Sequence, residues 1–180
     1  DWVTKAGGNA SEGTFADAAA HGELVIIATN GEATLHAVQM AGADNFKGKT
    51  VIDVTNPLDF SKGMPPRIPA AFRDTSLGEQ VQQALPEARV VKALNTMNCA
   101  LMVDARQVGD GDHELFLCGN DAGTKQQVKD FLRDNFHWKE EHLHDLGGIQ
   151  LALTTEGIVP FWVVLYGHLK TGMFNYRIVQ

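Results

Sequence analysis

Apolar residues in this chain gather in short continuous runs: LVIIATN (24–30), TVIDVTNP (50–57) and RVVKALNT (89–96). A strand that is apolar on both faces suits a parallel sheet covered by helices on either side. Around these runs the apolar spacing turns helical. Residues 1–22 predict a short helix, a Gly-rich turn and a second helix around FADAAAH, and GEATLHAVQM (31–40) predicts a helix burying Leu35, Val38 and Met40. Ser76 caps another helix, with Glu79 completing a capping box and Leu77, Val81, Ala84 and Leu85 forming the apolar face. ELFLCG (114–119) predicts a strand, and 122–136 a helix burying Val128, Phe131, Leu132 and Phe136. HWKEEHLHDL (137–146) predicts a last strand, and about 150–170 a final helix, amphipathic first and then apolar all round. The order βαβαβ, then two strands around a helix, predicts a doubly wound α/β fold with a mainly parallel sheet and a C-terminal helix.

In open parallel sheets, ligands bind in the crevice beyond the carboxyl ends of the strands. Each of the three runs ends in small or polar residues, which places Thr29, Asn30, Asn56 and Asn95 on that rim. Pro57 forces the backbone to turn and aims Asn56 over the sheet edge, although Asn-Pro is also an ordinary turn initiator. One such asparagine decides nothing; their coincidence on three successive strands points to a nucleotide site. The Gly-x-Gly-x-x-Gly turn that would open such a fold does not occur in the sequence. Residues 57–75, with Pro57, Pro65, Pro66 and Pro69, predict a long irregular loop of the kind that serves as a lid. Its Lys62, Arg67 and Arg73 either meet phosphate or carboxylate groups or simply face water.

Composition narrows the classes. A chain of 180 residues, 44% hydrophobic and 21% charged, suits one soluble globular unit. A net charge of -7 argues against nucleic acid or an anionic membrane as a partner. The most hydrophobic stretch, IVPFWVVLY (158–166), is short of the roughly 20 residues of a membrane span, so a soluble protein is expected. Trp162 and Tyr166 within it stand at helical spacing with no polar face, so this helix belongs in the core or against the second copy of a homodimer. Cys99 and Cys118 form no disulfide framework and fit a reducing cytoplasm, both expected as buried structural thiols. His142 and His144 alternate, but no third metal ligand stands at suitable spacing, and Lys139, Glu140 and Glu141 predict a solvated edge strand without a metal. No Gly-x-Ser-x-Gly elbow occurs, and no catalytic side chain is expected.

FADAAAHGELVIIAT, VIDVTNPLDF (51–60), VVKALNTMN (90–98) and DLGGIQLALTTEGIVPFWVVL (145–165) together resemble the NADPH-dependent reductases of the deazaflavin coenzyme F-420 and related dinucleotide-binding oxidoreductases. The resemblance covers nearly the whole chain from about residue 10. It implies a Rossmann-like dinucleotide-binding domain over 1–146 and a C-terminal helical segment over 147–180, usually in a dimer. It also implies NADP as cofactor, with coenzyme F-420 or a flavin as the second. By the resemblance, Ala28, Thr29 and Asn30 lie along the diphosphate and ribose, and Asn56, Pro57, Asn95 and Thr96 shape the nicotinamide end. Gly147 and Gly148 let backbone approach the flat ring. Family members open with a strand, a phosphate loop and a Ser/Thr-Arg stretch, so the expectation is that this chain lacks that βαβ unit of about 30 residues. The implied reaction is hydride transfer between nicotinamide C4 and deazaflavin C5, in which the cofactors carry the chemistry and the protein stacks the rings. The rival readings are an NADPH-dependent flavin, ferric or small-carbonyl reductase, an imine or 3-hydroxyacid dehydrogenase, and a non-catalytic dimeric scaffold without its phosphate loop.

Overall fold

The three apolar runs become neighbouring parallel strands in the computed structural model, which describes residues 2–180; Asp1 lies outside them. β1 (Leu24–Ile27), β2 (Thr50–Asp53) and β3 (Arg89–Lys92) are followed by β4 (Leu115–Gly119) and β5 (Leu143–Asp145), and the sheet order equals the chain order. β4 runs antiparallel to β3, and β5 runs parallel to β4. The starts of β4 and β5 therefore share an end of the sheet with the finishes of β1, β2 and β3.

The helices are α1 (Trp2–Ala6), α2 (Phe15–His21), α3 (Thr34–Ala41), α4 (Leu77–Ala84), α5 (Cys99–Val103), α6 (Ala122–Phe136), α7 (Ala152–Gly157) and α8 (Val159–Leu169). They make two cores, one on each face of the sheet. Val51, Val90 and Cys118 join Ala19 of α2, Val38 of α3, Val81 of α4 and Ala152 of α7 on one side. Ile52, Val91, Leu115 and Leu117 join Leu101 of α5 and Val128 and Leu132 of α6 on the other. Alternate strand residues thus enter opposite cores, which is why the runs read as continuous. The capping box at α4 forms: the Glu79 amide donates to Ser76 Oγ at 2.9 Å, and the Ser76 amide donates to Glu79 Oε2 at 2.9 Å.

Some expectations are corrected. Met40 is 56% exposed, because α3 turns Ala37, Val38 and Ala41 inward instead. Ala84 is exposed as the last residue of α4, which stops one residue before the buried Leu85. The stretch 137–146 gives only a three-residue strand after a 3-10 turn, Glu140–His142. It does form an edge of the sheet, with Glu140 and Glu141 exposed, but Trp138 ahead of it sits in the core with its indole edge-on to the His113 ring at 4.9 Å.

The C-terminal helices also run longer than the apolar stretch suggests. Ile149–Leu169 is a 21-residue helical run long and apolar enough, by length and composition, to cross a membrane. Its first part is fastened to the domain, with Ala152, Thr155 and Glu156 all buried. On α8, by contrast, Phe161, Val164, Tyr166 and Leu169 are about half exposed, so the core does not cover it. After α8 the chain returns along the sheet, where the Glu114 amide donates to the Tyr176 carbonyl at 3.0 Å.

Candidate functional site

Beyond the finishes of β1, β2 and β3 the chain turns three times, and the turns enclose a crevice of ≈ 350 Å³ lined by Ala28, Thr29, Asn30, Asn56, Phe60 and Met102 among others. The first turn is held by its own side chains. Asn30 Oδ1 accepts from the Glu32 amide at 3.1 Å, and the Thr34 hydroxyl donates to the Asn30 carbonyl at 3.0 Å and meets the Thr29 hydroxyl at 3.0 Å. What this turn offers a ligand is thus its backbone, its shape and the Nδ2 group of Asn30, an exposed residue that lines the crevice. Gly31 has no substitute here, because a Cβ on it would run into the Asn56 carbonyl oxygen.

Asn56 and Asn95 hold each other. Asn56 Nδ2 donates to the Asn95 carbonyl at 2.7 Å, and Asn95 Nδ2 donates to Asn56 Oδ1 at 2.9 Å. The exchange leaves Asn95 Oδ1 buried and without a hydrogen-bond partner among the described residues. An orphaned acceptor of this kind costs about 1–3 kcal/mol until a donor reaches it. The backbone just before it is strained: Leu94 is left-handed at φ 66, a conformation that costs a side-chain-bearing residue about 1–2 kcal/mol. Strain and an unpaired acceptor on consecutive residues mark a place built for something other than stability.

Under this rim lies a charge network inside the protein. Lys92, at the finish of β3, is fully buried and spends its donors on Asp53 Oδ2 at 3.1 Å, Glu156 Oε1 at 2.8 Å and the Thr55 carbonyl at 2.5 Å. Asp53 Oδ1 accepts from the Thr55 amide at 2.9 Å and its hydroxyl at 2.7 Å. Glu156 accepts from the Leu77 and Gly78 amides at the start of α4, each at 2.9 Å. Burial works against the Lys92 charge and is its largest single influence. Asp53 and Glu156 together outweigh it, so the ammonium is held above the usual lysine range.

Against known proteins, the chain is 30% identical over 164 residues to the F420-dependent NADP reductase of Methanocaldococcus jannaschii, an alignment covering 91% of this chain and 71% of the relative. The chain belongs to that reductase family. A family profile described as "NADP oxidoreductase coenzyme F420-dependent" matches residues 1–57. A crystal structure of a putative F420-dependent NADP reductase from Arthrobacter sp. FB24 superposes with a TM-score of 0.86 at 46% identity, over 92% of this chain and 74% of that one. NADP-bound pyrroline carboxylate reductase from Plasmodium falciparum, at 12% identity and a TM-score of 0.51 over 88% of this chain and 50% of that one, shares the fold.

Of the rim residues expected in this reductase, Ala28, Thr29, Asn30 and Asn56 line the crevice together. Pro57, Asn95 and Thr96 are buried immediately behind them. Gly147 and Gly148 are not brought there. They follow β5, which runs against β1, β2 and β3, and the Gly147 carbonyl accepts from the Gly119 amide at 2.9 Å. Gly119 pairs with Val91, one residue back from the finish of β3. The reversal of β4 thus sends these glycines toward the opposite end of the sheet. Lys62, Arg67 and Arg73 face water and do not line the crevice.

Cys99 also departs from expectation: it is exposed and lines the crevice, because Asn98 caps α5 through the Ala100 amide and Cys99 falls on its outer first turn. Cys118 is buried as expected, and burial pushes its thiol up to about 12. His142 and His144 do converge, but on a carboxylate: His142 Nδ1 lies 3.2 Å and His144 Nε2 2.6 Å from Glu114 Oε2. Sequence reasoning missed the network of Asp53, Lys92 and Glu156. Its signal was present, as one acid and one base stand in the middle of VIDVT and VVKAL, runs otherwise free of charge.

Proposed function

We propose that this chain transfers a hydride between NADP(H) and the deazaflavin coenzyme F-420, with the nicotinamide seated in the crevice at Asn56 and Asn95. The observation that carries the reading is the unpaired Asn95 Oδ1, buried just behind the crevice wall on a residue bonded to Asn56, which lines it, in a chain from this reductase family. A carboxamide N–H is a donor of the right chemistry for that acceptor, and the residues present fit the group. When bound, the two cofactors supply the carbon that gives the hydride and the carbon that takes it. The protein's part is to hold and to shield. Asn95 orients the carboxamide, Asn56 fixes Asn95, and Gly31 lets the first turn close on the second. Phe60 and Met102 give the crevice apolar walls that keep water from the reacting carbons. A hydride moving directly between carbons needs no side chain as acid or base there.

The test is anaerobic mixing of the protein with NADPH and oxidised F-420, following loss of the deazaflavin absorbance. Turnover with F-420 in preference to FMN, ferric chelates and small carbonyls is expected; turnover with one of those instead would reassign the acceptor. Asn56→Asp should raise the dissociation constant for NADPH about tenfold, by charge repulsion and a lost donor. Unchanged affinity would remove Asn56 from the site.

The same reading includes a cytoplasmic homodimer. Its supports are the half-exposed apolar residues of α8 and two thiols that are unpaired among the described residues. A second copy suits this face better than a bilayer does, since the same helical run carries Glu156, tied by its carboxylate to Lys92. Light scattering at micromolar concentration should give twice the chain mass, and Val164→Glu should return it to one.

A further inference from the structure

Glu156 is far from Asn56 in the chain and does not touch the crevice, yet one continuous path of hydrogen bonds joins them. From Glu156 Oε1 the path crosses to Lys92 Nζ, and from there to the Thr55 carbonyl. Asp53 grips the same residue from the other side, through its amide and its hydroxyl. Thr55 is bonded covalently to Asn56, whose amide group reaches the Asn95 carbonyl. At its far end, Glu156 receives the first two amides of α4, the helix that ends the long loop from Pro57.

We infer that Glu156, Lys92 and Asp53 are positioning residues for the cofactor crevice, and that they couple α7 to the Thr55–Asn56 turn. This rests on the crevice being the nicotinamide site. Three physical points carry it. First, the network is closed: an ammonium has three donors, and all three are used, two on the end of β2 and the turn that follows it and one on α7. No element can shift without leaving a buried donor or carboxylate unpaired, which is far costlier than moving a surface pair. Second, the charges do not cancel. One ammonium against two carboxylates leaves a single negative charge, which the α4 amides and the start of that helix must help to hold. Displacing α7 would take that extra charge away but leave a buried Lys92 donor and the Leu77 and Gly78 amides without their acceptor. Third, Gly78 fits α4 tightly to α7, since a Cβ there would lie 3.0 Å from the Ala152 Cβ. Helix and network move together or not at all. If α8 meets a second copy, pairing at that surface reaches the crevice by this route.

The decisive variant is Glu156→Gln in the full chain. The glutamine would set an amide donor against the Leu77 or Gly78 amide, or lose the lysine. The readouts are hydrogen exchange at individual amides and the NADPH dissociation constant. A local structural role would speed exchange at Leu77 and Gly78 and stop there. Positioning predicts, in addition, about tenfold faster exchange at the Thr55 amide, which Glu156 does not touch, and an NADPH dissociation constant raised by a similar factor with kcat changed much less. Leu132→Ala, in the core on the other face, is the control: it lowers the melting temperature but should leave Thr55 exchange and NADPH affinity within about twofold.

Thr55 protection unchanged in Glu156→Gln would overturn the inference, whatever the affinity does. A wild-type protein that binds no NADPH would sink the proposed function instead, while Thr55 exchange still decides the coupling. Should Glu156→Gln fail to fold, Thr55→Val probes the same path from the rim. Coupling is reciprocal, so Leu77 and Gly78 must then exchange faster, and unchanged exchange there refutes the proposal.

Discussion

Two groups of charge stand at the same end of the sheet, one around Lys92 and one around Glu114. The first is sealed: the Lys92 and Asp53 side chains are 0% exposed and that of Glu156 is 2%. The second is open on one side, with Asp112 50% and His144 36% exposed. Around Glu114 gather His142, His144 and the Ile178 amide, while Asp112 pairs with His142 and with Arg177. The first group ties strands to α4 and α7. The second ties the returning C-terminal segment to the start of β4. The difference teaches what burial decides: similar chemistry makes a permanent frame where water is excluded and a titratable clasp where water enters.

The two should fail at opposite ends of the pH scale. Lys92 is held above the lysine range, so its contribution is complete through neutral pH and is lost only as pH rises past that range. For Glu114, burial raises the carboxyl, but hydrogen bonds from His144, the Ile178 amide and His142 prevail and hold it below the usual range. Its contribution is present above the ordinary glutamate range and is lost as pH falls through the depressed one. His113, which receives Asn175 and is pushed down chiefly by burial, adds to loss in acid because protonation is disfavoured in the fold.

The largest expected effect is at the sealed group. Lys92→Met leaves two buried carboxylates uncompensated and should cost about 3–5 kcal/mol in denaturant unfolding. A cost under about 1 kcal/mol would mean that water already enters there, and the contrast would collapse. Next comes Glu114→Gln, expected to cost about 1–3 kcal/mol at neutral pH. It should also shrink the acid-triggered rise in exchange at Ile178, whose amide donates to Glu114; an unchanged rise there would assign the clasp elsewhere. The smallest effect is at Cys118, the strand neighbour of Lys92. With its thiol pushed up to about 12 and buried, it should resist alkylation in the native protein at pH 8 while Cys99 reacts. In Lys92→Met, Cys118 should become labelled, which would make this thiol a reporter of the sealed group.

Most of the architecture was legible because it depends on spacing. Parallel strands buried on both faces must be apolar throughout, and the Ser76–Glu79 box fixes where α4 begins. The reversal of β4 was not legible, since LFLCG reads the same in either direction. That one fact misplaced Gly147 and Gly148. At the rim, residue type identified Asn56 and Asn95, but nothing in the sequence tells which lone pair stays free once they bond each other. Cys99 was misjudged because the run TMNCALM hides a helix start whose first turn points outward.

The bonds from Leu77 and Gly78 to Glu156 close chain separations of 79 and 78 residues. Long closures are the late events of folding, because their entropy is spent before they repay it. During synthesis, therefore, β1, β2 and β3 and both asparagines emerge well before the carboxylate that completes the frame beneath them. Until residue 156 leaves the ribosome, Lys92 has acceptors for only two of its three donors, and the rim above it has no fixed floor. The crevice is a property of the finished chain, assembled from its first half but locked from its last.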